Sequence, residues 1–127
     1  MSFTKLNLNP KEKKTSDCVV RAIACGTGQS WEKVYQDLCR IGLEEYEMPN
    51  SKTVWQKYLN ELGWKKQPMP KIKSGNTYRR VRLEAFAKDI IKNSIVSVAS
   101  HLTCVEDGSI IDTWNCGHKS VGNYWTK

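Results

Sequence analysis

No stretch of this sequence approaches the roughly 20 consecutive apolar residues that a membrane-spanning helix needs. The opening segment MSFTKLNLNPKEKKTSDC also has no apolar core of the export-signal kind. The chain is therefore expected to stay where it is made, in the cytoplasm, with no membrane partner. No CxxC occurs, and the cysteine count of five is odd and scattered, at 18, 25, 39, 104 and 116. A disulfide scaffold normally shows an even, denser set, so reduced thiols are expected. Cys116-Gly117-His118 offers two ligand types, but no second pair stands at the spacing of a closed zinc site, and no metal or cofactor is expected. Repeats, low-complexity tracts and a domain boundary are all lacking. Residues 1–127 read as one domain with one core.

The chain does carry positive charge, with 20 Lys and Arg against 13 Asp and Glu. The cations gather at Lys11, Lys13 and Lys14 and again from Lys65 to Arg82. Clustered cations suit an acidic protein or peptide and, as a lesser alternative, nucleic acid. Lys71, Lys73, Arg79 and Arg80 are the candidate contacts. The segment from Gln67 to Asn76 holds Pro68, Pro70 and Gly75 and is expected to be a loop, a mobile connector near the cleft.

Helical spacing dominates the first two thirds. Thr15, Ser16 and Asp17 are capping residue types ahead of CVVRAIA, so a first helix should start at Cys18 and end near Gly26 and Gly28. Ser30 should cap a second helix with Trp31, Val34, Tyr35, Leu38 and Ile41 on one stripe. A third fits Ser51 to Leu62, and a fourth fits Val81 to Lys92. Ile95 to Ala99, Leu102 to Glu106, Ser109 to Trp114 and Val121 to Trp125 alternate and are β-branched, which predicts strands. Helices first and strands last is an α+β arrangement, with N-terminal helices packed on a C-terminal antiparallel β-sheet.

Cys18 is the candidate nucleophile. A free thiol near pKa 8.5 is mostly protonated at neutral pH, whereas the partial positive charge and free N–H groups of a helix start favour the thiolate. Asp17 opposes this if it is ionised and close. Cys25, Cys39 and Cys104 lack such a setting and read as core residues, and Cys116 reads as exposed.

A base and its orienter come from HLTCVEDGSIIDTW. Asp107-Gly108 between alternating runs is a two-residue hairpin signal. That register sets Glu106 opposite Ser109, Thr103 opposite Asp112 and His101 opposite Trp114. His101 and Asp112 then share a face as diagonal neighbours, within side-chain reach. A carboxylate on one ring nitrogen fixes the tautomer and turns the other nitrogen toward a nucleophile. His118 is the rival base and Asn115 the rival third member, although the register turns Asn115 to the opposite face.

Cys at a helix start, His opening a strand and Asp on the next strand resembles the papain-like cysteine peptidases. The short bacterial and phage-encoded members are nearest, through SDCVVRAIACGTGQSWEKVYQDL and SVASHLTCVEDGSIIDTW. The resemblance implies a papain-like fold with Cys18 as nucleophile, His101 as general base and acid, and Asp112 as orienter. It implies a peptide, isopeptide or related amide substrate, cleaved through an acyl-thioester. Acyl transfer to an amine, as in transglutaminase-like enzymes, or a non-catalytic basic binding module on the same scaffold are the alternatives. Larger members place a Gln about six positions before the Cys to line the oxyanion hole. Here Glu12 stands there, and Thr15, Ser16, Asn7 and Asn9 are the other donors within reach in sequence. Trp114 is a further candidate for substrate binding.

Overall fold

A computed structural model describes residues 3–89 and 93–127. The architecture is α+β, with a six-stranded, mostly antiparallel sheet between helices. Cys18–Thr27 form α1, Trp31–Glu45 form α2 and Lys52–Glu61 form α3, followed much later by Leu83–Asp89 as α4. The strands are β1 (Phe3–Lys5), β2 (Lys65–Gln67), β3 (Lys71–Ser74), β4 (Thr77–Arg80), β5 (Ser94–Val98), β6 (His101–Glu106), β7 (Ser109–Asp112) and β8 (Tyr124–Thr126).

The large sheet runs β1-β7-β6-β5-β8-β2, antiparallel throughout except for the β1–β7 pair. The β6–β7 hairpin has the expected register, with Glu106 opposite Ser109 and Cys104 opposite Ile111. Its turn residues Asp107 and Gly108 both have positive φ, 51° and 77°, as a tight primed turn requires.

Alternation along β5 sorts side chains into two cores. Ile95, with Leu102 and Trp125, packs under α1, α2 and α3, burying Ile23, Val34, Leu38, Ile41, Val54 and Leu59. Val96 and Val98 face the other way, toward Val105, Ile110 and Leu83 and Ala87 of α4. Ser30 and Ser51 cap α2 and α3 by accepting from the N–H groups of Lys33 and Val54. Tyr58, buried on α3, has its hydroxyl satisfied by donating to Asp37 on α2 at 2.7 Å and accepting from Gln29 at 3.0 Å. Gly26 sits in α1 because a Cβ there would meet Cγ1 of Ile95 at 2.8 Å, so the helix lies close on β5. Gly28, at φ 73°, ends that helix in the left-handed conformation.

Several expectations are corrected. The connector is not a loop throughout. Gln67 ends β2, and Lys71–Ser74 pairs with Thr77–Arg80 as a separate exposed hairpin around Gly75-Asn76. The sheet is not purely C-terminal, since β1 and β2 supply its two edges. The fourth helix begins at Leu83, because Arg82 bridges Ser120 and the Val81 carbonyl accepts from the Val121 N–H. Its expected end, at 90–92, lies outside the described residues. The last strand is displaced to Tyr124–Thr126 for the same reason, Val121 being paired with Val81. The strand expected to reach Trp114 stops at Asp112, whose side chain accepts from its own neighbour's backbone, Thr113 N–H, at 2.7 Å. Among the described residues, no helix is long and apolar enough to cross a membrane.

Candidate active site

The start of α1 and the start of β6 meet at one end of the sheet. Cys18 is the first residue of the helix and His101 the first of the strand, and the two side chains are near enough for each to shift the other's pKa. On the other side of the ring, Nε2 of His101 lies 2.6 Å from Oδ2 of Asp112. Occupation of Nε2 by the carboxylate leaves Nδ1 for the thiol. The structure thus brings together Cys18, His101 and Asp112.

Asp112 is buried and fully engaged. Its Oδ2 accepts from the Thr103 hydroxyl at 2.6 Å, and its Oδ1 accepts from Arg21 Nη1 at 2.9 Å. Burial alone would raise its pKa, but the hydrogen bonds and charge of His101 and the Thr103 hydroxyl outweigh that and hold it at about 2. Burial likewise works against a charged His101. Hydrogen bonds to Asp112, Cys116 and Cys18, with the Asp112 charge, win and push its pKa up to about 11. For Cys18, burial favours the neutral thiol, yet the His101 hydrogen bond, the Leu102 N–H and the charges of His101 and Arg21 draw its pKa below the ordinary thiol value. The three shifts agree in sense, each favouring the charged form of its group.

Asp17 does not oppose the thiolate as its position suggests. It stands at the N-cap of α1 but makes no side-chain cap. Its carboxylate is buried and accepts from Arg21 Nε at 2.8 Å, Trp31 Nε1 at 3.0 Å and Asn9 Nδ2 at 3.2 Å. Arg21 therefore spans two carboxylates and neutralises the one beside Cys18. With Asp17 turned away, the first-turn N–H groups of α1 have no side-chain cap and remain available near the sulfur.

Trp114 packs over the pair, its ring centroid 5.0 Å from that of His101 and its surface still 40% exposed. It shields the imidazole with one face and borders a surface groove of about 840 Å³ that also takes in Ser16 and Asp17. Lys5, Glu12, Lys13, Lys14 and Thr15 also line it.

Other candidates fall elsewhere. Asn115 is exposed, and its Oδ1 accepts from the Gly117 N–H at 2.9 Å, so it is not the third member. His118 is exposed and touches Trp114 at a ring distance of 6.3 Å, away from the thiol. Cys116 is not exposed but wholly buried, because Leu83 and Glu84 N–H groups bind the Lys119 and Gly117 carbonyls and pin its loop to α4. Its Sγ lies 3.9 Å from Asp112 Oδ2. His101, Asp112 and Cys116 present ligand atoms within 4.8 Å of one another, the one such metal-capable set among the described residues. All three atoms are already engaged with each other, and Cys116 does not pair with His118. Lys71, Lys73, Arg79 and Arg80 lie on the β3–β4 hairpin, outside the groove lining. Asn7 and Asn9 are used within the loop before α1, Asn7 Nδ2 donating to the Lys13 carbonyl and Asn9 Nδ2 to Asp17. Among the side-chain donors considered for an oxyanion, only Thr15 and Ser16 are left.

Sequence reasoning missed Arg21, Thr103 and Cys116. Arg21 had a readable signal, being four residues after Asp17 on a helix, the spacing of an ion pair. No match to this chain was found among protein-family models, curated proteins or solved structures. What the site does is therefore read from its own geometry.

Proposed function

We propose that this chain is a papain-like cysteine hydrolase that cleaves a peptide, isopeptide or related amide bond. The observation that carries the proposal is the 2.6 Å hydrogen bond between His101 and the buried Asp112, set beside Cys18 at the start of α1. In the reaction the Cys18 thiolate attacks the acyl carbon and a C–S bond forms. The carbonyl oxygen becomes an oxyanion facing the N–H groups at the start of α1. As it collapses, the C–N bond breaks and the His101 imidazolium gives its proton to the leaving amine. Water then attacks the thioester while His101 takes its proton, releasing the acid and restoring the thiolate–imidazolium pair. Asp112 holds the ring orientation through both halves and stabilises the imidazolium. The chemistry needs no cofactor, and a free thiol of this kind suits a reducing compartment such as the cytoplasm.

Alkylation of Cys18 by a small haloacetamide, followed by mass spectrometry of its peptide, tests this reading. The rate should stay high at about pH 6, where a thiol of pKa near 8.5 is almost wholly protonated. His101→Ala should abolish that low-pH reactivity. A Cys18 that reacts as an ordinary thiol, indifferent to His101, would contradict the proposal.

A further inference from the structure

The groove that reaches Asp17, the residue before Cys18, and Trp114, which packs on His101, is electrostatically one-sided. Lys5, Lys13 and Lys14 line it, and Glu12 is the one acidic lining residue not already paired, since Asp17 is neutralised by Arg21. None of these lysines makes an ion pair among the described residues. Their backbone is nonetheless held in place. Asn7 Nδ2 binds the Lys13 carbonyl at 3.2 Å, the Asn9 carbonyl accepts from Glu12 N–H at 2.8 Å, and buried Asn9 anchors the loop to Asp17. The result is a fixed rim of unpaired cations in the groove that reaches Asp17, the residue before Cys18. At about 840 Å³ the groove falls within the range of ligand clefts, roughly 300–1,000 Å³.

We infer that this groove selects an acidic peptide segment, whose carboxylates meet Lys13, Lys14 and Lys5 while its backbone runs past Trp114 to Cys18. The inference rests on the hydrolase reading and adds the substrate class to it. A peptide fits better than a nucleic acid for two reasons. Glu12 in the wall can accept a backbone N–H, a donor that a peptide has and a phosphodiester backbone lacks. The groove also ends at Asp17 and Trp114, the neighbours of Cys18 and His101, and the thiol chemistry of the hydrolase reading requires an acyl carbon.

The test uses the full chain and two peptide chloromethyl ketones identical except for Glu-Glu in one and Gln-Gln in the other. Each alkylates Cys18 by forming a C–S bond with loss of chloride, and labelling is followed by mass spectrometry. At about 0.01 M salt the acidic probe should react about tenfold faster, the low end of electrostatic steering. At about 0.5 M salt, screening should collapse most of that ratio. Lys13→Gln with Lys14→Gln should bring the ratio close to one, and Lys13→Arg with Lys14→Arg should restore it. A ratio near one in the unaltered protein, with both probes fast, would overturn this inference alone. Greater protection of Cys18 by a single-stranded oligonucleotide than by the free Glu-Glu peptide would also overturn it. Labelling of Cys18 by both probes and by a small haloacetamide no faster than that of Cys39 would overturn the hydrolase reading, and this inference with it.

Discussion

Arg21 donates from Nη1 to Oδ1 of Asp112 at 2.9 Å, tying the helix that bears Cys18 to the carboxylate that holds His101. Its Nε reaches back to Asp17 at 2.8 Å. One side chain, 12% exposed, thus neutralises the acid beside the nucleophile and fixes the acid behind the base.

Loss of Arg21 would strand two buried carboxylates. Arg21→Met should destabilise the fold by about 3–5 kcal/mol, the usual cost of removing one partner from a buried ion pair. The Cys18 pKa should rise, because Arg21 and a well-placed His101 both lower it. Urea unfolding measures the first effect, and the pH profile of Cys18 alkylation the second. Arg21→Lys should recover less than half of the stability, since an ammonium cannot span both carboxylates with the planar fork of a guanidinium.

The shifts at His101 and Asp112 make stability depend on pH at both ends. Asp112 has a lower pKa folded, about 2, than unfolded, near 3.9, so its contribution is present above about pH 4 and lost as pH falls toward 2. His101 has a higher pKa folded, about 11, than unfolded, near 6.5, so its contribution is full below about pH 6.5 and lost as pH rises toward 11. Between about pH 6.5 and 8.5 the Cys18 shift cancels this, since the folded thiolate–imidazolium pair and the unfolded thiol and imidazole each hold one proton. Stability should therefore decline from about pH 8.5 to 10, by no more than about 1.4 kcal/mol per pH unit for the one proton. Asp112→Asn should flatten that slope. Denaturant midpoints across the range check both statements, and an unchanged slope in the variant would contradict them.

Gly26 tests the packing of α1 on the sheet. In an isolated helix Gly→Ala stabilises by about 1 kcal/mol. Here the new Cβ would press on Cγ1 of buried Ile95, so Gly26→Ala should instead destabilise by about 1–3 kcal/mol. Ile95→Val with Gly26→Ala should recover part of the loss, which thermal unfolding of the three variants would show.

Much of the site was legible because its signals are local. Asp107-Gly108 fixes the hairpin, the hairpin fixes which residues share a face, and His101 and Asp112 follow from that alone. The capping residue types and the unbroken run after Cys18 placed α1. What was not legible depends on contacts far apart in sequence. Phe3–Lys5 is too short to read as a strand and forms β1 only because β7 offers an edge. Cys116 looked exposed because its loop holds Gly117 and His118, yet α4 takes the loop's carbonyls and buries the thiol. The basic connector misled through its prolines. KIKS and TYRR alternate around Gly75-Asn76, a hairpin pattern hidden by Pro68 and Pro70 just before it. The lysines at the groove are instead Lys13 and Lys14, placed there by Asn7 and Asn9.

The central claim is that Cys18 and His101 form a thiolate–imidazolium pair, and thiolate absorbance near 240 nm reads it most directly. The signal should be the difference between the protein and Cys18→Ser, titrated from about pH 4 to 10, a range that brackets the ordinary thiol pKa near 8.5. A midpoint well below 8.5, returning toward 8.5 in His101→Ala, is the predicted result. A midpoint at or above 8.5 that His101→Ala leaves unmoved would contradict it.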